Sequence, residues 1–149
     1  MKNYPATKIR NIALLGHSHS GKTAFAEAVL FNAKVIDRIG KVTDGNTTMD
    51  FDPEEIKRQT SINTSIASFG WKDFKINLID TPGDFDYMGE VMQALRVADG
   101  TVILVNAKSG VSVGTEKSIR FSNKQKLPYF FFISGVEEPN ASFDKTLTQ

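Results

Sequence analysis

Cysteine is absent from the 149 residues, which excludes disulfides, thiolate metal sites and cysteine nucleophiles. Neither sign of charge is in excess: 18 Lys and Arg face 17 Asp and Glu, for a formal net charge of +1. Such a balance sets up no global field for unspecific attachment to nucleic acid or a membrane surface. No apolar run approaches the roughly 18 residues of a membrane span. The Met1-Lys2-Asn3 opening leads into polar residues, so no signal peptide is visible. Repeats and low-complexity tracts are missing too. What remains is a globular mixture, 40% hydrophobic and 23% charged. The length suits one domain of ordinary size, and the cytoplasm is the expected setting.

Short apolar runs alternate with helical patterns, as in βα units around a parallel sheet. Ile12 to Leu15 reads as a strand, followed by a polar Gly-containing loop. In a helix from Lys22 to about Asn32, apolar Phe25, Ala28, Val29 and Phe31 fall mainly on one face, with Glu27 expected outside. From Gly40 to about Gln59 periodicity fades among Asp44, Gly45, Asn46, Asp50, Asp52 and Pro53, which predicts a functional or mobile irregular segment. Two strands joined by a tight turn at Gly70–Asp73 follow, over Ile62–Ser68 and Phe74–Ile79, with Trp71 as a hairpin cap. A helical pattern with Val91, Leu95 and Ala98 comes next, then a strand over Val102–Val105 that reads as buried on both faces. A polar helix over Thr115–Lys126, with Ile119 inward, and a very apolar strand over Tyr129–Ile133 complete the pattern. Phe130, Phe131 and Phe132 are expected in the interior, and Phe143 and Leu147 mark a last helical stretch.

The segment Gly16-His17-Ser18-His19-Ser20-Gly21-Lys22-Thr23 has two glycines spaced as in a phosphate-binding loop, followed by Lys and a hydroxyl residue. Each residue type has a reason. The glycines let backbone N–H groups curl around phosphate oxygens, and the following helix N-terminus favours an anion. Lys22 can neutralise outer phosphates, and the Thr23 hydroxyl can ligate Mg²⁺. Asp80-Thr81-Pro82-Gly83 follows a predicted strand, where Asp80 can reach Mg²⁺ and the Gly83 N–H a terminal phosphate. By itself such a Pro-Gly segment is most often a turn. In this order and spacing the two segments point to a nucleoside-triphosphate switch protein, with the irregular region before Ser61 as a mobile switch.

From about Lys8 to Leu147 the sequence resembles the start of the GTP-binding domain of a translational GTPase, in particular elongation factor G and its elongation factor G-like paralogues. The residues that carry the likeness are Gly16–Thr23, the stretch DGNTTMDFDPEEIKRQTS from Asp44 to Ser61, Asp80–Gly83, Glu90-Val91, Ala94–Asp99 and GVSVGTEK from Gly110 to Lys117. The resemblance implies an α/β P-loop NTPase fold, a G domain with a mostly parallel sheet, helices on both faces and one antiparallel hairpin strand. Nucleotide then sits at the carboxyl ends of the strands. It also implies Mg²⁺ with GTP or GDP as ligand, the ribosome as partner, a translocation-type role in translation, and a monomer with no DNA or membrane partner. Lys22 is then the phosphate lysine, Thr23 the first Mg²⁺ hydroxyl, Ser61 the switch hydroxyl on Mg²⁺, Asp80 the outer-sphere Mg²⁺ aspartate and Gly83 the γ-phosphate sensor. Because the family's domain continues to a further strand and base-contacting loop, residues 1–149 read as its N-terminal part, C-terminally incomplete.

Three departures from the family pattern bear on activity. Asp84 stands where elongation factors have the histidine that orients the attacking water. A carboxylate there can accept a hydrogen bond from water, but phosphate charge repels it, so hydrolysis should be slow or differently arranged. Ser134-Gly135-Val136-Glu137 stands where Asn-Lys-x-Asp reads guanine; Glu137 keeps a carboxylate, and Ser134 and Gly135 lose the amide and the lysine stem. Guanine preference is expected to relax. His19 replaces an acidic residue of many relatives, either as a phosphate neighbour or as a solvent-facing residue. Lys57 and Arg58 suit either RNA phosphates or plain solvation. Three readings follow: a ribosome-acting GTPase, a nucleotide-binding paralogue with impaired turnover, and an ATP-binding P-loop protein.

Overall fold

The computed structural model describes residues 3–149. In chain order the elements are β1 (Ile9–Gly16), α1 (Lys22–Asn32), α2 (Pro53–Arg58), β2 (Ser65–Trp71), β3 (Phe74–Asp80), α3 (Met88–Val97), β4 (Gly100–Asn106), α4 (Val113–Lys124), β5 (Tyr129–Ser134) and α5 (Phe143–Thr148). The strands form one sheet in the order β2-β3-β1-β4-β5. β3, β1, β4 and β5 run parallel, and β2 lies antiparallel on β3. This is the expected mostly parallel α/β sheet with one hairpin strand.

Alternation along β1 divides the core. Leu14 points to the α1 side, where it packs with Ala26, Leu30, Leu78, Val102 and Leu104. Leu15 and Ile103 point to the opposite side and meet Val91 and Leu95 of α3, with Ile119 and Phe121 of α4 half-buried against them. Parallel strands covered on both faces read as unbroken apolar runs, and β4 is buried from Gly100 to Val105. The register sets Leu14 beside Asp80 and Val102, and Asn106 beside Ser134. The carboxyl ends of four strands therefore open on one edge of the sheet, where α/β folds place their ligands.

Four local expectations need correction. Glu27 is fully buried rather than outward. Its carboxylate accepts the N–H of Gly40 at 2.9 Å and that of Thr48, so two backbone donors offset its burial. The segment Gly40–Gln59 is not wholly irregular, because it contains α2. Asp52 accepts the Glu54 N–H at 2.8 Å, Glu55 reaches back to the Asp52 N–H, and Pro53 opens the helix. The inward face of α4 is built from small residues, Gly114, Thr115, Ser118 and Ser122, with Ile119 only half-buried. Ser122 spends its hydroxyl on Thr101 of β4 at 3.0 Å.

The fourth correction is β5. Phe130, Phe131 and Phe132 are 59%, 49% and 40% exposed rather than interior. β5 pairs only with β4, and among the described residues no strand pairs with its outer edge. Apolar composition made the strand; position in the sheet decides its burial.

Candidate functional site

The loop between β1 and α1 is shaped by left-handed backbone at His19 (φ 59°) and Gly21 (φ 88°), the curvature on which anion-binding nests are built. Gly16 begins it at φ 144°, and a Cβ there would lie 2.5 Å from the Leu104 carbonyl oxygen and 2.7 Å from Ser20 Oγ. Only glycine fits. The Ser20 N–H closes the loop on the His17 carbonyl at 3.2 Å.

Lys22 opens α1 and is 5% exposed. Its ammonium donates to the carbonyl oxygens of His17 at 2.9 Å and Gly16 at 3.3 Å, which curls it back under the loop. Thr23 donates to Asp80 Oδ2 at 2.8 Å, and its hydroxyl lies 3.2 Å from that of Ser61. Residues from α1, the end of β3 and the segment after α2 thus meet at one point. Gly83 closes the cluster from above; a Cβ on it would fall 2.5 Å from Lys22 Nζ and 2.6 Å from the Ser18 nitrogen. A cleft of about 190 Å³ runs between Ser18, Lys22, Thr23, Asp50, Ser61 and Gly83.

The electrostatics of this cleft are unbalanced. Burial pushes the Asp80 carboxyl up to about 7, against the nearby Lys22 charge and the Thr23 hydrogen bond, which pull it down. Burial also raises Asp50, with the Ser61 hydrogen bond opposing. Lys22 is lowered by its burial and held up by Asp80, Asp50 and Asp84. Three carboxylates thus act on one ammonium, and Asp80 Oδ1 and Asp50 Oδ2 are buried without a hydrogen-bond partner. Two hydroxyls beside a free carboxylate oxygen form a hard donor set, of the kind that suits Mg²⁺. Among the described residues no three His, Asp or Glu side chains cluster as a metal centre by themselves. Mg²⁺ commonly takes one or two protein ligands and completes its shell with water and phosphate oxygens, so the residues present fit that ion.

The remaining expected residues divide. Ser134 is brought in: its hydroxyl donates to the Ser20 carbonyl at 2.8 Å, so it ties β5 to the phosphate-type loop. Glu137 is exposed and has no hydrogen bond among the described residues. Its neighbour Glu138 faces the loop instead, accepting from Asn106 Nδ2 at 3.2 Å beside Lys108. Gly135, left-handed at φ 64°, leaves the space for that pair. Asp84 is exposed at the start of a short 3₁₀ turn over Phe85–Tyr87. His19 is exposed at the rim of the cleft. The His17 ring packs 5.7 Å from Phe85, over which Lys117 places its ammonium at 3.7 Å.

Sequence reasoning passed over Asp50, Glu55, Asn106 and Glu138. For Glu55 a signal existed, since Asp52-Pro53-Glu54-Glu55 has the spacing of a capping box with proline at the first helical position. The others became visible only through tertiary neighbours.

The model of the elongation factor Tu GTP-binding domain matches residues 7–149. Two relatives are proteins named mitochondrial ribosome-releasing factor 2. That of Candida dubliniensis is 36% identical over 149 residues, all of this chain and 18% of its own length. That of Yarrowia lipolytica is 37% identical over 142 residues, 95% of this chain and 18% of its own length. Among solved structures, a protein from Thermus thermophilus superposes with a TM-score of 0.90 at 33% identity, over 96% of this chain and 22% of that one. The chain thus spans less than a quarter of each of these proteins.

Proposed function

This chain belongs to the family of elongation factor Tu GTP-binding domains, in its elongation factor G-like branch, and on that premise we propose that it binds a Mg²⁺-guanine nucleotide for a ribosome-acting factor of the translocation type. The observation that carries the reading is the buried meeting of Lys22, Thr23, Ser61 and Asp80 beneath the Gly16–Gly21 loop. In this assignment the loop N–H groups and Lys22 hold phosphate oxygens. Thr23 and Ser61 would offer hydroxyls to Mg²⁺, and Asp80 would face the ion as an outer-sphere carboxylate. Bound Mg²⁺ would draw negative charge off the terminal phosphates. Gly83 presents its N–H to the outermost phosphate, and its missing side chain lets it approach Lys22.

Calorimetry on the intact protein tests this directly. GDP and a non-hydrolysable GTP analogue should bind in the presence of Mg²⁺, and chelation with EDTA should weaken the triphosphate most. No heat with either nucleotide overturns the proposal. The Ser134–Glu137 loop favours a second reading on base choice: with Glu137 out in solvent, ADP should follow GDP within about 100-fold, far from the discrimination of a fully paired base site.

Turnover is proposed to be slow because Asp84 offers the attacking water a carboxylate beside phosphate charge. Asp84→His should raise ribosome-stimulated phosphate release by about 100-fold or more, the lower end of what a positioned proton acceptor contributes. An unchanged rate would remove Asp84 from the account. Among the described residues no helix is long and apolar enough to cross a membrane. Co-sedimentation with cytosolic and organellar ribosomes would decide between the cytoplasmic setting that composition predicts and the mitochondrial one in the relatives' names.

A further inference from the structure

We propose that Glu55 is a positioning residue, which holds Ser61 at the metal site by gripping the backbone on both sides of it. This inference rests on the functional reading above. Glu55 is 1% exposed, and none of the described Lys or Arg side chains pairs with it. Its bonds are to backbone. Oε1 accepts the N–H of Ile62 and of Asn63, each at 2.9 Å. Its own carbonyl oxygen accepts the Thr60 N–H at 3.2 Å, and Oε2 the Asp52 N–H at 3.3 Å.

Thr60, Ile62 and Asn63 therefore all depend on one residue, and Ser61 lies between them. With both flanks fixed, the Ser61 hydroxyl stays 3.2 Å from Thr23 Oγ1. The short helix α2 is the lever. Its capping box fixes Asp52 and Glu55 to each other, and left-handed Gln59 (φ 53°) turns the chain back over the Glu55 side chain. A carboxylate can accept two N–H bonds on one oxygen, which an apolar residue cannot do and a hydroxyl does poorly. Mobile switch segments are ordinarily ordered by the ligand they sense. Here the anchor lies within the chain itself, so on this proposal Ser61 is set in place before nucleotide arrives.

The test uses the intact protein with Glu55→Ala, Glu55→Gln, Ser61→Ala and the double variant Glu55→Ala with Ser61→Ala. One readout is amide hydrogen exchange at Ile62 and Asn63 without nucleotide. The other is the Mg²⁺ concentration at half-saturation for a fluorescent, non-hydrolysable GTP analogue. Glu55→Ala should speed exchange of both amides and raise the Mg²⁺ midpoint by about 10-fold, the weight of one bond to a charged group. Amides of β1 and β4 should keep their protection. Glu55→Gln, which retains one accepting oxygen, should shift both readouts less and in the same direction; it carries the comparison if the alanine variant does not fold. The double variant should be no worse than Ser61→Ala, because both act through one hydroxyl. Additive midpoints, or midpoints unmoved while the analogue still binds, would overturn the positioning role. Unprotected Ile62 and Asn63 amides in the unmodified protein would overturn it whatever the nucleotide does. An unmodified protein that binds no analogue overturns the functional reading, and the positioning role with it.

Discussion

Lys22→Ala should lower nucleotide affinity at least about 100-fold, measured by calorimetry on the intact protein in Mg²⁺. The size of the effect follows from where the ammonium sits. It is buried, it is held by the Gly16 and His17 carbonyls, and it is the positive group acting on Asp80, Asp50 and Asp84. Removing it takes this ammonium from between the Asp80 and Asp50 carboxylates and the phosphates, and like charges at close range in a dry site repel strongly. Asp80 also loses the charge that pulls its carboxyl down, so it should climb above its value of about 7. Lys22→Arg should not restore binding. A Cβ on Gly83 would already lie 2.5 Å from Nζ, so a planar guanidinium has no room. Full binding by Lys22→Ala would remove Lys22 from the site.

Glu27→Ala should cost about 4 kcal/mol of folding stability, from one buried and one part-buried N–H group left without acceptors at about 1–3 kcal/mol each. For a domain of this size that corresponds to a fall in Tm of about 8–16 °C. The donors are Gly40 and Thr48, which lie 13 and 21 positions further along, so the carboxylate ties that segment to α1. Glu27→Gln should cost about half as much, since the amide keeps one accepting oxygen and turns a donor toward the second N–H. Glu54→Ala serves as the contrast. Glu54 bonds Arg58 at 2.7 Å, but both side chains are about half exposed, so thermal unfolding should be unchanged. A silent Glu27→Ala would mean the segment does not depend on this carboxylate.

The contrast between Glu27 and Lys22 marks how far the sequence could be read. Lys22, Thr23, Asp80 and the strand-loop-helix around them were legible because the residue types, their order and their local elements agree. The parallel sheet was legible for a similar reason, since the interior stretches of β1 and β4 are continuous apolar runs. Glu27 was not. A glutamate on a helix is ordinarily solvated, and its reversal depends on two N–H groups far along the chain. Ser61 could be assigned to the metal only through the family likeness, for its approach to Thr23 spans 38 residues. Ser134 was read as a loss of the amide. In the fold its hydroxyl ties down the Ser20 carbonyl. The loop that opens with Ser134 is thus bonded to the loop between β1 and α1.

The open flank of β5 has a consequence for handling the chain as it stands. Tyr-Phe-Phe-Phe-Ile-Ser is six residues without charge or proline, rich in strand formers, along an edge that has no partner among the described residues. Natural proteins blunt such edges with lysine, proline or a covering element, and this strand carries neither lysine nor proline along its length. The same composition is the signature of segments that stack into cross-β fibrils. Wherever no further element pairs with it, the strand is therefore a template for self-association at high concentration. A lysine at Phe130, the most exposed of the three phenylalanines, is the substitution that would guard it with the least disturbance of the core.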